Sequence, residues 1–502
     1  MIFLATLPFG AGISPDSVNY IAAARHLLGG DGFLRADNTP FLLQPPLYPS
    51  VLAIIGFVFD LDPLLVVGSL NAILFGATLY LLGLLIFKHF FFSPFFALLG
   101  IIVISVSIAL VEVFLWAWSE PLFIFLVVLY LYSISMDMEN KNNRSLLLLS
   151  VSTALACTTR YIGMVLFFTS TIYLLLNWGD GLKITRKIKQ FLIFIFLSAL
   201  PIGIWAARNY VLSGTLLGSR GSSFFSLSDN LAFTFKTLLH WYLPEEFIQG
   251  NMYLLLLICG LVLLSAVIVL LKKTSQMKIL MQKGLFFVFI FILVLSYVIL
   301  LEISSTTTAF SQTNNRLLSP MAIPINLLVF SGVEYIASKI NARFSKTIST
   351  AFIVICFVLL IIHPLRITLA NLNTQSQTGQ GYSSREWKTS NALQFIKQND
   401  LSTCTIYSNG ADVIYFYTNA VVNSIPIKKI GADVIADLST LKQSFPQEES
   451  ICIIWFDQIY RNYLFTPEEL LSVTSLNKTT RLDDGVIYFA SRISKDRSQD
   501  EN

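Results

Sequence analysis

Pro15-Asp16-Ser17-Val18-Asn19-Tyr20, then Ala24-Arg25-His26-Leu27-Leu28, and further on Gln44-Pro45-Pro46-Leu47-Tyr48-Pro49: on this stretch the reading of the chain turns. It places an acidic residue at the start of a short amphipathic helix, directly after an apolar N-terminal segment. Ser14 suits the N-cap, Pro15 the first helical position and Asp16 the first turn. Pro-Pro-Leu-Tyr-Pro then returns the chain to an apolar environment.

The rest of the chain defines that environment. Of 502 residues, 55% are hydrophobic and 13% charged, and the mean hydropathy is +0.68. A soluble domain carries about 25% charged residues. Uncharged runs at 63–87, 90–111, 121–136, 161–179, 190–207, 247–271, 284–301, 317–333 and 347–365 mostly reach the roughly 17–25 residues that a helix needs to cross a bilayer. The net charge of +4 and the lack of a basic, aromatic-laced patch exclude nucleic acid as a partner. This is the pattern of a polytopic α-helical membrane protein.

Lysine and arginine orient it. Lys88, then Lys141 and Arg144, then Lys183, Arg186, Lys187 and Lys189, fall in alternate loops. Lys272, Lys273, Lys278 and Lys283 continue the series, and Lys339, Arg343 and Lys346 complete it. Basic loops stay cytoplasmic, so 14–46, 212–246, 303–315 and everything after 365 are expected outside. Met1 to Ile13 is apolar but too short to span. Either it is a short tilted helix or, the preferred reading, it ends a span that begins upstream of Met1. With it the count is about eleven spans, and 146–178 reads as two short helices meeting near Arg160.

After His363-Pro364 the character changes. Residues 1–365 read as the membrane domain, 366–380 as a linker, 381–493 as a small α/β domain and 494–502 as a disordered tail. In 381–493, strand-like runs at 404–407, 421–425, 451–456 and 486–491 alternate with helical ones at 384–397, 411–417, 432–445 and 467–473. Cys404 and Cys452 each open a strand. An extracytoplasmic disulfide and a pair of adjacent buried thiols both explain them. Cys157, Cys259 and Cys356 lie in apolar runs as buried small hydrophobes. No P-loop, dinucleotide fingerprint or Cys/His metal spacing is present.

Ionisable residues inside spans are costly and mark functional or paired positions. Glu120 in Trp118-Ser119-Glu120-Pro121, Arg160 in Thr159-Arg160-Tyr161, Arg208 in Trp205-Ala206-Ala207-Arg208 and Arg316 in Asn314-Asn315-Arg316 all interrupt apolar runs. Under the topology above, each lies near the outer end of its helix, at the depth of Asp16. The plain alternatives are an Asp16 that only complements its helix dipole and arginines that snorkel. Glu112 is expected to pair with an arginine, Glu302 to be interfacial, and Asp31 and Asp37 to be turn residues. Gln44 and Tyr48 bring an amide and a hydroxyl that suit a phosphate.

These phrases resemble the GT-C superfamily of membrane glycosyltransferases, in the branch holding protein O-mannosyltransferases and the aminoarabinose transferase of lipid A. The likeness covers most of the chain: the acidic first loop, Ser-Glu-Pro before a span, Thr-Arg-Tyr-Ile-Gly, Trp-x-x-Arg-Asn-Tyr, Asn-Arg-Leu-Leu-Ser-Pro and a C-terminal α/β domain. It implies a catalytic Asp16 assisted by Glu120. Arg160, Arg208, Arg316, Tyr48 and Gln44 would hold the phosphate of a polyprenyl-phosphate-linked sugar. The implied reaction is an inverting transfer, in the cell membrane, to an extracytoplasmic lipid, glycan or protein. Many relatives have Glu directly after the loop aspartate, where this chain has Ser17, so a metal or acid-pair role there does not carry over. A divalent cation is the one cofactor left open. The rival reading is a transporter or flippase of lipid-linked saccharides, which would also need arginines for phosphate but would carry polar residues on to the cytoplasmic side.

Overall fold

The computed structural model describes residues 1–493 except 91–92, 177–183, 250–277, 310–311 and 402. The expected tail at 494–502, Cys259 and most of the run at 247–271 lie outside the described residues. The membrane part contains α1 (Ile2–Thr6), α2 (Pro15–Gly29), α3 (Leu47–Phe59), α4 (Pro63–His89), α5 (Ser93–Ser105), α6 (Ile108–Phe114), α7 (Glu120–Asn140) and α8 (Asn143–Thr159). It continues with α9 (Met164–Leu176), α10 (Ile184–Ser213), α11 (Leu227–His240), α12 (Lys278–Thr307), α13 (Asn315–Leu318), α14 (Ala322–Arg343) and α15 (Lys346–Gln377).

Among the described residues, six helices are long and apolar enough to cross a membrane, with α13 and α14 joined as one. The pair α5–α6, bent by 55°, makes a seventh. The eleven expected from sequence also counted the N-terminal segment and the run at 247–271. The expected break at Arg160 is present: its backbone is extended between α8 and the 3-10 turn Tyr161–Gly163 that leads into α9. Helix α7 sits centrally. Its span is 78% buried, against 22% for α10 and α15. A residue at the N-terminus of α7 therefore lies in the middle of one end of the bundle.

One expectation is corrected. Pro-Pro-Leu-Tyr-Pro opens α3, whose 13 residues span about 20 Å at 1.5 Å per residue, short of a hydrocarbon core of about 30 Å. Both its ends stay beside α2. Tyr48 packs on Tyr20 with ring centroids 5.1 Å apart, and Asp62, just past its far end, pairs with Arg25 at 2.9 Å. Ile54, Phe57, Val58 and Phe59 are exposed on its outer side, the geometry of a helix lying along a membrane surface.

The stretch read as a linker is also different. Helix α15 continues to Gln377, because Asn, Thr and Gln are tolerated in a helix once it has left the apolar layer. Beyond it come α16 (Arg385–Lys388), α17 (Asn391–Gln398), β1 (Thr405–Ser408), α18 (Ala411–Thr418), β2 (Asn423–Ser424), β3 (Lys429–Ile430), β4 (Asp433–Val434), α19 (Leu438–Ser444), β5 (Ser450–Phe456), α20 (Pro467–Leu471), β6 (Thr474–Leu482) and β7 (Gly485–Arg492). The sheet order is β2-β1-β5-β7-β6, with β3–β4 a separate hairpin. Strand β1 runs parallel to β2 and β5, and β7 antiparallel to β5 and β6. Central β5 is apolar because it is covered on both faces: Ile451, Cys452, Ile453, Ile454 and Phe456 are all buried. Edge strand β6 escaped the sequence reading because Ser475 to Thr479 is exposed and, apart from Leu476, polar. The helix expected over 432–445 starts only at Leu438, where Asp437 accepts from Thr440 N at 2.8 Å. Cys404 and Cys452 form a disulfide.

Candidate active site

Residues 10–13 run extended between the turn after α6 and the start of the C-terminal domain. Gly12 N donates to Leu115 O at 2.8 Å, and Ala117 N to Gly12 O at 2.9 Å. On the other side Tyr382 N donates to Ile13 O at 2.8 Å, and Ser383 Oγ to Ala11 O at 2.8 Å. This strip delivers Ser14 to the start of α2. There Ser17 N donates to Ser14 Oγ at 3.3 Å and Ser14 N to Ser17 Oγ at 3.0 Å, a reciprocal cap. Trp118 Nε1 donates to the same Ser14 oxygen at 2.8 Å.

With the cap satisfied by serines, the Asp16 carboxylate is directed elsewhere. Its Oδ2 lies 2.8 Å from Arg316 Nη1, and its Oδ1 accepts from Gln44 Nε2 at 3.4 Å. Burial by itself drives this carboxyl up, but the charges of Arg316, then Arg160 and Arg220, outweigh it and hold the group below the usual carboxylate range. Although ringed by protein, the side chain keeps 40% of its surface accessible. It is an ionised carboxylate open on one side.

Glu120 is the first residue of α7, with Pro121 behind it, a position that favours both residue types. Its side chain is fully buried. Oε1 accepts from Arg316 Nε at 2.6 Å and pairs with Arg160, while Oε2 has no hydrogen-bond partner among the described residues. The Arg316 guanidinium also lies 4.3 Å from the Trp118 ring centroid, and Trp116 stacks behind Trp118 at 4.7 Å. Arg160 Nη1 donates to Ser119 Oγ at 3.3 Å, which lies 3.2 Å from the Tyr20 hydroxyl. Asp16, Glu120, Arg160 and Arg316, from four distant parts of the chain, thus meet at one point.

Arg208 does not join them. Its guanidinium donates to Phe41 O at 3.0 Å and Phe33 O at 3.2 Å and lies 4.4 Å from the Trp205 ring centroid, so it props the loop that follows α2. Tyr48 is buried behind Tyr20, with a hydroxyl that has no hydrogen-bond partner among the described residues. Glu112, expected to pair with an arginine, instead accepts from Asn315 Nδ2 at 2.7 Å. Asn315 in turn accepts from Trp241 Nε1 at 2.8 Å, which braces the turn that carries Arg316. Glu302 is buried and accepts from Thr234 at 2.5 Å. Asp37 is a turn residue as expected, accepting from Thr39 N at 3.0 Å.

No protein-family model and no curated protein matches the sequence. Among solved structures, ArnT from Cupriavidus metallidurans in the apo state aligns with a TM-score of 0.61 at 11% identity, covering 97% of this chain and 95% of that one. The chain shares the fold of ArnT. ArnT bound to undecaprenyl phosphate gives 0.59 at 11% identity, covering 97% and 96%. The arabinofuranosyltransferase AftD from Mycobacteria gives 0.51 at 12% identity, with 98% of this chain on 39% of that one.

One charged residue near the site escaped the sequence reading. Arg220, in Gly218-Ser219-Arg220-Gly221, is close enough to Asp16 and Arg160 to act on their charges, and donates through Nη2 to Leu43 O at 3.1 Å. Its signal was present as a lone cation in a Gly/Ser loop on the side opposite the Lys-rich loops. Among the described residues no three His, Cys, Asp or Glu side chains gather round a point, and both carboxylates of the site are paired with arginines.

Proposed function

We propose that the chain is an inverting glycosyltransferase, moving a sugar from a polyprenyl-phosphate-linked donor to an extracytoplasmic lipid, glycan or protein acceptor. The observation that carries this reading is the open Asp16 carboxylate held 2.8 Å from Arg316, beside Arg160 and Arg220, at the end of the bundle opposite the basic loops. A base for the acceptor and cations for a leaving phosphate stand side by side, and one structure of the same fold, ArnT, holds undecaprenyl phosphate. The Cys404–Cys452 bridge supports an oxidising compartment for the adjoining domain, and so an outward-facing site.

In this mechanism Asp16 takes the proton of the acceptor hydroxyl as that oxygen attacks the anomeric carbon. The bond from this carbon to the phosphate oxygen breaks as the new glycosidic bond forms, and the electron pair leaves on polyprenyl phosphate. Among the described residues, Arg160 and Arg316 pair with the carboxylates of Asp16 and Glu120, and Arg220 stands close enough to act on Asp16. Buried, fixed guanidinium groups stabilise such a developing anion. Glu120 holds Arg160 and Arg316 in register rather than meeting the acceptor. Gln44 orients Asp16, Tyr48 supports Tyr20 from behind rather than meeting the phosphate, and Arg208 serves the site by shaping its loop. The charged residues cluster at one end, which favours transfer over a transport path.

The test is to supply purified protein in lipid with polyprenyl-phosphate sugars and lipid, glycan and peptide acceptors, and to follow release of polyprenyl phosphate. Coupled sugar transfer supports the reading. Undetectable release with every donor, from protein that is folded, overturns it.

A further inference from the structure

The loop that carries Arg220, between α10 and α11, has neither helix nor strand of its own over 214–226, yet it is pinned from three sides. Arg220 itself donates to Leu43 O. Ala309 N, beyond the end of α12, donates to Gly221 O at 2.7 Å. The third attachment comes from the β3–β4 hairpin of the C-terminal domain. Ser222 donates to both oxygens of Asp433, through N at 2.9 Å and through Oγ at 2.6 Å. Ala432 N returns a hydrogen bond to Ser222 O at 3.0 Å. The two backbones approach so closely that both must be glycine at the crossing. A Cβ on Gly221 would stand 2.0 Å from Ile430 O, and one on Gly431, whose φ is +60°, would stand 2.0 Å from Ser222 O. The Ser222 hydrogen bonds also hold the Asp433 carboxyl below its usual range, so the clamp is ionised at neutral pH.

We propose that Asp433 is a positioning residue: by gripping Ser222, two residues along from Arg220, the C-terminal domain fixes that guanidinium beside Asp16 and so tunes the site without touching substrate. This rests on the reading of Arg220 as a cation facing the donor phosphate. The geometry leaves the hairpin little other role at this point, since it lies outside the main sheet and its partner here is the loop.

The experiment uses the full-length protein in lipid. Asp433→Asn and Ser222→Ala each remove part of the grip from one side. Hydrogen exchange of peptides within 214–226 should speed up about fivefold to tenfold, the effect of losing roughly one net hydrogen bond, while peptides of α7 and α14 stay as in wild type. Unchanged exchange at 214–226 overturns the clamp, whatever the protein's activity. Undecaprenyl phosphate is the binding probe. Asp433→Asn and Arg220→Gln should weaken it by similar factors, and Asp433→Asn should weaken it no further once Arg220→Gln is present. Independent, multiplying losses overturn the positioning role. If wild type fails to bind the probe, the donor reading and the role resting on it fall together, while exchange still reports whether the clamp exists.

Discussion

Arg316 holds two carboxylates at once: Nη1 lies 2.8 Å from Asp16 Oδ2 and Nε lies 2.6 Å from Glu120 Oε1. The two acids differ in everything but that partner. Asp16 keeps 40% of its side-chain surface accessible, and Glu120 keeps none. A guanidinium presents donors in a rigid fork, so fixing one edge on the buried glutamate aims the other at the open aspartate. In the proposed reaction this difference in burial divides the labour: Glu120 builds the site and Asp16 acts in it.

Asp16→Asn should lower transfer by about 10²–10⁴-fold, the usual worth of positioned acid–base catalysis. The helix start should survive, because Ser14 and Ser17 cap it and not Asp16. Turnover of a polyprenyl-phosphate sugar, measured beside thermal stability, decides the matter. Near-normal turnover returns Asp16 to a dipole-complementing role.

The pH dependence should follow from the same pair. With its pKa held below the ordinary value, Asp16 is ionised throughout the neutral range, so activity should show no loss until well into acid. The ion pair's contribution to stability is likewise complete above the unfolded-state pKa and is lost only as pH falls through the depressed folded one. Replacing Arg316 by Gln removes the main lowering charge, so the acid limb of the residual rate profile should move to higher pH. A limb that stays in place shows that Asp16 is not the titrating base.

Glu120→Gln should be the destabilising change. Leaving a buried charge without its partner typically costs about 3–5 kcal/mol, and here Arg160 loses its carboxylate while Arg316 keeps Asp16 alone. Thermal unfolding in detergent should fall sharply for this variant and only slightly for Asp16→Asn. Equal shifts contradict the division drawn above.

The arginines should separate into two kinds. Arg160→Ala and Arg316→Ala should weaken donor binding roughly tenfold or more, as expected for a charge-assisted contact to a buried anion. Arg208→Ala should instead loosen residues 33–42, seen as faster hydrogen exchange there, because its guanidinium ties the carbonyls of Phe33 and Phe41. Donor binding unchanged in the first two variants sends them back to snorkelling.

The C-terminal domain should lie outside the cytoplasm and depend on its disulfide. A reporter active only in the cytoplasm, fused after Ser491, should be silent. Replacing Cys404 and Cys452 by Ala should cost the domain about 2–4 kcal/mol, the typical effect of opening such a loop, read by chemical denaturation. Strong reporter activity overturns the orientation.

By itself the sequence determined what depends on local chemistry and on the solvent. Apolar runs and one-sided lysines disclosed a membrane protein, the break at Arg160 and the α/β character of the C-terminal region. Ser14-Pro15-Asp16 announced the helix start that carries the candidate base, because capping and dipole effects act within one turn. Only the tertiary structure decided which charges meet. Arg160, Arg208 and Arg316 look alike along the chain, since each interrupts an apolar run near a helix end. Packing around α7 brings two of them to Glu120 and turns the third onto loop carbonyls. The same cause kept Arg220 and Asp433 out of sight. Their significance lies in a crossing between a membrane loop and a distant hairpin, and such long-range contacts leave no periodic trace in either segment.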